Sequence, residues 1–94
     1  MRAIAKLKAF SPARTGVSEK GNWSVRTLVF KLVDPLAKYE EELVGTYFGE
    51  AEDEVLKDLL ARQVEMEIVV FFRAREVEGK WYCDPKITHI GIRV

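Results

Sequence analysis

Arg73, Arg75, Lys80, Trp81 and Tyr82 crowd into one stretch, Phe71-Phe72-Arg73-Ala74-Arg75-Glu76-Val77-Glu78-Gly79-Lys80-Trp81-Tyr82. Guanidinium and ammonium groups hold phosphates, and aromatic faces stack on unpaired bases, so this mixture has the chemistry to grip a single-stranded nucleic acid. Two strand-like runs joined by Glu78-Gly79 read as a β-hairpin that carries cations and rings out together. A hairpin whose rings fill a core and whose arginines only face water has the same composition. Arg14, Lys20, Trp23 and Arg26 form a second group of the same types. Trp23 either caps one end of the fold or stacks a base. Trp81, beside the turn, is expected to be exposed and to stack a base, the alternative being a local cation–π pair with Arg75.

Other chemistries lack their residues. Catalysis needs converging groups of matched pKa, and the chain offers one histidine, one cysteine and no nucleophile arrangement. His89 lies among Thr88, Ile90 and Ile92 and reads as a strand residue. Glu40, Glu41 and Glu42 are consecutive and cannot converge on one ion, and the acids from Glu50 to Glu54 fit a helix start better than a calcium loop. No phosphate-cradling glycine loop is present. Neither catalysis, a metal nor another cofactor is expected. A lone cysteine cannot form an internal disulfide, so Cys83 reads as a buried strand residue in a reducing, cytoplasmic setting.

The chain has 94 residues and a formal net charge of zero. That length suits one domain, spanning residues 1–94, and no apolar run approaches membrane-spanning length. Zero net charge weakens the case for a polyanion partner, but its distribution is uneven. Residues 1–31 carry Arg2, Lys6, Lys8, Arg14, Lys20, Arg26 and Lys31 against Glu19, whereas residues 34–67 hold eleven acids. Folding that joins the two basic ends and turns the acidic middle elsewhere would create one basic face.

The elements that must position these groups follow from periodicity. Arg2 to Phe10 interleaves lysines with aliphatic residues and predicts a half-exposed strand. Residues 11–22, with Pro12, Gly16 and Gly21, predict a long connection carrying Arg14 and Lys20. Trp23 to Val33 alternates, with Ser24, Arg26, Leu28, Phe30 and Leu32 on one side. Leu43 to Phe48 is a third strand, in which Gly45 suggests a bulge. Glu50 to Arg62 places Val55, Leu56, Leu59 and Leu60 on one helical face. Val64 to Arg75 and Lys80 to Val94 complete the strands, with a bulge or edge expected near Pro85. The adjacent aromatic pairs Tyr47-Phe48 and Phe71-Phe72 can each turn only one ring inward. The expected fold is all-β with one helix, a five-stranded OB-fold barrel with its helix between strands three and four.

Three segments carry a more specific likeness: Pro12-Ala13-Arg14-Thr15-Gly16-Val17-Ser18 leading through Gly21 to Trp23, Tyr47-Phe48-Gly49-Glu50, and Arg75-Glu76-Val77-Glu78-Gly79-Lys80-Trp81-Tyr82-Cys83-Asp84. Together they resemble a family of small OB-fold domains of unknown function related to single-stranded DNA-binding proteins. Thr88 departs from that pattern where the family tends to have tryptophan, as do Pro85 and Ala61-Arg62-Gln63. The resemblance implies a ligand surface across strands two and three, flanked by the first connection and the last hairpin. Its expected contacts are Arg14, Lys20, Trp23, Arg26, Arg73, Arg75, Lys80 and Trp81, and its expected partner is single-stranded DNA or RNA, bound with weak sequence preference. A protein-interaction or homo-oligomer module is the competing reading, favoured by the zero net charge.

Overall fold

The computed structural model describes residues 1–33, 39–49 and 51–92, Ile92 by its backbone alone. Its elements are β1 (Arg2–Phe10), β2 (Arg14–Ser18), β3 (Gly21–Leu32), β4 (Glu42–Phe48), α1 (Asp53–Arg62), β5 (Met66–Val77) and β6 (Lys80–Ile92). One six-stranded sheet runs β1-β5-β6-β4-β3-β2, and an added β1–β3 pairing closes five of its strands into a circuit. Among the described residues all pairings are antiparallel except β4 with β6, which pair at Thr46↔Lys86 and Tyr47↔Ile87. The protein is therefore mostly β with one helix, as expected.

The expectation of five strands with the helix after the third needs correction: the described residues form six, and α1 follows the fourth. The difference lies in residues 11–22. Instead of a long connection, Arg14–Ser18 folds back on β3 as a hairpin with register Arg14↔Val25, Gly16↔Trp23 and Ser18↔Gly21. The β-branched Thr15 and Val17 suit a strand, and Gly21, at φ 114°, supplies the turn conformation that other residues avoid.

Alternation builds the core. Ala5 and Leu7 of β1, Leu28 and Phe30 of β3, Met66, Ile68 and Val70 of β5, and Ile87 of β6 all point inside the circuit and are almost wholly buried. Removing each such large apolar side chain from water is worth about 1.5–3 kcal/mol. The helix packs on β1 and adds Leu56 and Leu59 to the same cluster, while Val55 stays exposed and Leu60 is half-buried. Its C-terminus is held by Gln63, at φ 51°, whose side-chain amide donates to the carbonyls of Leu60 (2.7 Å) and Leu7 (3.2 Å). No pairing shift occurs at Gly45; the glycine instead lets Ile87 approach, since a Cβ there would lie 2.7 Å from the isoleucine's Cδ1. The bulge expected near Pro85 falls at Thr88, between the pairs Val69↔His89 and Val70↔Ile87. The expected end of β6 at Arg93 and Val94, the expected stop of the Trp23–Val33 strand at Asp34-Pro35 and the expected helix start at Glu50 lie outside the described residues.

Beyond Val70 and Ile87 the β5–β6 ladder continues to Val77↔Lys80 after its other neighbours have ended. Residues 71–83 are all exposed. This two-stranded arm includes Cys83, which is exposed rather than buried as its strand position suggested.

Candidate nucleic-acid interface

Residues opposite each other in an antiparallel pair project to the same side, and neighbours along a strand alternate. Applied to Phe71↔Lys86, Arg73↔Asp84, Arg75↔Tyr82 and Val77↔Lys80, this gives one face of the arm three cations besides Lys86, two rings and an acid. The intervening pairs, Phe72↔Pro85, Ala74↔Cys83 and Glu76↔Trp81, form the reverse face. Trp81 is 71% exposed, as expected, but it stands on the opposite side from Arg73, Arg75 and Lys80. The guanidinium of Arg75 lies over Tyr82 instead, 5.3 Å from the ring centroid, with Nε 2.9 Å from Asp84 Oδ2. The reason is parity: Trp81 and Tyr82 are adjacent on a strand and cannot share a face.

The cationic face runs on into the body of the sheet. Lys86 pairs with Thr46 of β4, and its Nζ sits 5.4 Å from the ring centroid of Phe48, two residues along. Phe48 in turn opposes Val25, two residues from Trp23, and Val25 opposes Arg14. Arg14, Trp23, Phe48, Lys86, Phe71, Arg73, Tyr82, Arg75 and Lys80 therefore occupy one continuous outer surface. Phe48 is 58% exposed and Phe71 61% exposed. Of the two adjacent aromatic pairs, Tyr47 turns to the core and Phe48 outward, whereas both Phe71 and Phe72 are exposed because the arm has left the circuit.

At the far end of this surface an open groove of about 780 Å³ is lined by Gly16, Asn22, Trp23, Phe48 and Glu52, among others. Trp23, 41% exposed, lies across Gly16, where a Cβ would come within 2.3 Å of its ring. Trp23 thus packs on the β2 hairpin and still presents ring surface. Arg14 is exposed at the start of β2, and Lys20 is exposed in the hairpin turn, its backbone N–H donating to Ser18 Oγ at 3.3 Å.

Arg26 is not on this surface. It shares the inward side of β3 with Leu28 and Phe30 and is 6% exposed. Its guanidinium pairs with Asp53 (2.8 Å), donates to the carbonyls of Ala51 (3.0 Å) and Ser11 (3.4 Å), and lies over Phe10. Its Nε finds no partner among the described residues. The acidic middle does not simply turn away from the basic N-terminal third: Lys8 binds Glu42, Lys31 binds Glu40, and Arg2 approaches Glu67. Hydrogen bonding to Glu42 holds the Lys8 pKa above its usual value, and hydrogen bonding to Lys31 holds that of Glu40 below its own. The cations of the arm are less neutralised, with Asp84 taken up by Arg75.

Sequence reasoning did not count Lys86 and Tyr82 among the contacts, and left Phe48 and Phe71 undivided between core and surface. The alternation of β4 and β5 around Gly45 and Val70 could have pointed Phe48 and Phe71 outward. The placement of Lys86 beside Phe48 depends on the parallel β4–β6 contact, which no local pattern announces. No family model matches this chain, and no curated protein matches it.

Proposed function

We propose that this chain is a non-catalytic module that binds single-stranded nucleic acid, DNA in the first instance, on the outer surface of β3, β4 and the β5–β6 arm. The observation that carries this reading is the gathering of Phe48, Phe71 and Tyr82 with Lys86, Arg73, Arg75 and Lys80 on one side of the sheet. Rings supply stacking that every base can use, and cations supply backbone contacts whose strength falls with salt. The fold is consistent with an OB-fold in which β1, β3, β4, β5 and β6 are the five barrel strands. In that reading β2 elaborates the first connection, and α1 lies between the third and fourth barrel strands. The surface then coincides with the face such folds use for oligonucleotides.

Polarisation of a labelled oligothymidine, repeated with its RNA counterpart and a duplex control, tests the proposal. Tyr82→Ala should raise Kd by roughly 5–100-fold, the equivalent of one lost base stack of about 1–3 kcal/mol. Trp81→Ala should leave it unchanged, because that ring faces away. No single-strand binding at low salt would defeat the reading, and the reverse ranking of the two variants would move the site to the other face.

The reverse face favours a second role. Phe72, Ala74, Trp81, Cys83 and Pro85 continue the strand side that is core at Val70 and Ile87, with Glu76 as the only charge among the paired residues. An exposed apolar strip of this kind suits self-association. Sedimentation of wild type against Trp81→Ala separates it from binding, since loss of a dimer without loss of DNA affinity would assign the two faces different tasks.

A further inference from the structure

Resting on the reading above, we propose that the Trp23–Phe48 groove takes one base of the bound strand and prefers guanine, with Glu52 as the specificity-determining group. Two exposed rings line the groove, one braced against Gly16 and the other beneath Lys86. Its size is that of a small-molecule site rather than a backbone track. Glu52 lines the same groove and is exposed. It stands at the N-cap of α1 yet makes no side-chain cap bond, and the ion pair at this helix start belongs to its neighbour Asp53, held by Arg26. Among the described residues, nothing engages the Glu52 carboxylate.

A carboxylate beside stacking rings is a poor seat for phosphate, because like charges repel. It is a good acceptor for base edges that donate. An ionised carboxylate only accepts, through two oxygens. Guanine offers adjacent donors, N1–H and the N2 amino group, matching both oxygens at once. Adenine and cytosine offer one exocyclic amino group each. Thymine and uracil present a single N3–H flanked by two carbonyl oxygens, which a carboxylate repels. The expected order is therefore guanine, then adenine and cytosine, then thymine. Lys86 over Phe48 and the arm beyond it would carry the neighbouring phosphates.

The test compares a labelled oligothymidine with the same strand bearing one central guanine, on wild type and Glu52→Gln. Wild type should bind the guanine strand about 5–10-fold more tightly, the lower part of the range for a bidentate base contact. In Glu52→Gln one acceptor becomes a donor, so thymine should bind more tightly and the guanine-to-thymine ratio should fall toward one. Equal binding of both strands by wild type would overturn the inference and leave the stacking surface intact. A ratio unchanged by Glu52→Gln would also overturn it, by assigning the preference to another group. Failure to bind either strand would remove the underlying reading along with it. Guanosine alone tests the other source of the same base: saturation where the strand saturates would assign the groove to a free nucleoside and overturn the proposal.

Discussion

Arg26 alternates with Val25 and Thr27 on β3, and its parity with Leu28 and Phe30 carries its charge inward. There it ties the first connection to the helix start through Ser11, Ala51 and Asp53. Removing it strips those carbonyls of a donor, opens a void and breaks the ion pair. Arg26→Ala is therefore expected to destabilise the fold by about 2–4 kcal/mol in urea unfolding. Arg26→Met, which fills the volume without a charge to desolvate, should cost less, and equal losses would show that charge rather than packing dominates. The same parity rule separates Trp81 from Tyr82. Both were legible as hairpin aromatics, but which one stands with the arginines depends on the pairing register, which runs unshifted from the two-residue turn through Val70↔Ile87.

At the scale of elements, the β5–β6 arm is the least supported part of the sheet. An isolated two-stranded ribbon is marginal in water, so its turn chemistry matters. Glu78 and Gly79 both have positive φ, 50° and 80°, as a tight hairpin of this hand requires. Gly79 adopts it freely, whereas Glu78 is strained. Glu78→Asn should stabilise the arm by about 0.5–1 kcal/mol, read as slower amide exchange in residues 71–83. Unchanged exchange would mean that the ribbon is held by something other than its turn. A strand–turn–strand pattern was plain in the sequence here. It was missed in residues 11–22, where the glycines and proline outweighed two β-branched residues and concealed the β2 hairpin.

At the scale of the whole molecule, acids of the middle segment pair with Lys8 of β1 and Lys31 of β3, while the face of the arm that carries Arg73, Arg75 and Lys80 has Asp84 as the one acid among its paired residues. Glu40 has its folded pKa lowered by Lys31, so its contribution is present above its unfolded pKa and is lost as pH falls through the folded value. Lys8, raised by Glu42, contributes below its unfolded pKa and loses that contribution as pH rises through the folded one. Stability from these pairs is thus greatest between the two limits. Glu40→Gln should flatten part of the acid limb when urea unfolding is compared between neutral and acidic pH, and an unchanged limb would assign acid sensitivity to other carboxylates.

Composition and periodicity by themselves determined that this chain is mainly strand with one helix, that Leu28 and Phe30 share one side of a strand and Leu56 and Leu59 one face of the helix, and that the last hairpin gathers cations and rings. Those properties are local: they follow from alternation, from helical spacing and from a turn dipeptide. Tertiary structure alone decided that Arg26 is buried, that Trp81 and the arginines face opposite ways, and that Lys86 meets Phe48 while Trp23, Phe48 and Glu52 share a groove. Each of these depends on how strands pair and close over one another rather than on the period of any one strand, and shifting a register by one residue exchanges the two faces.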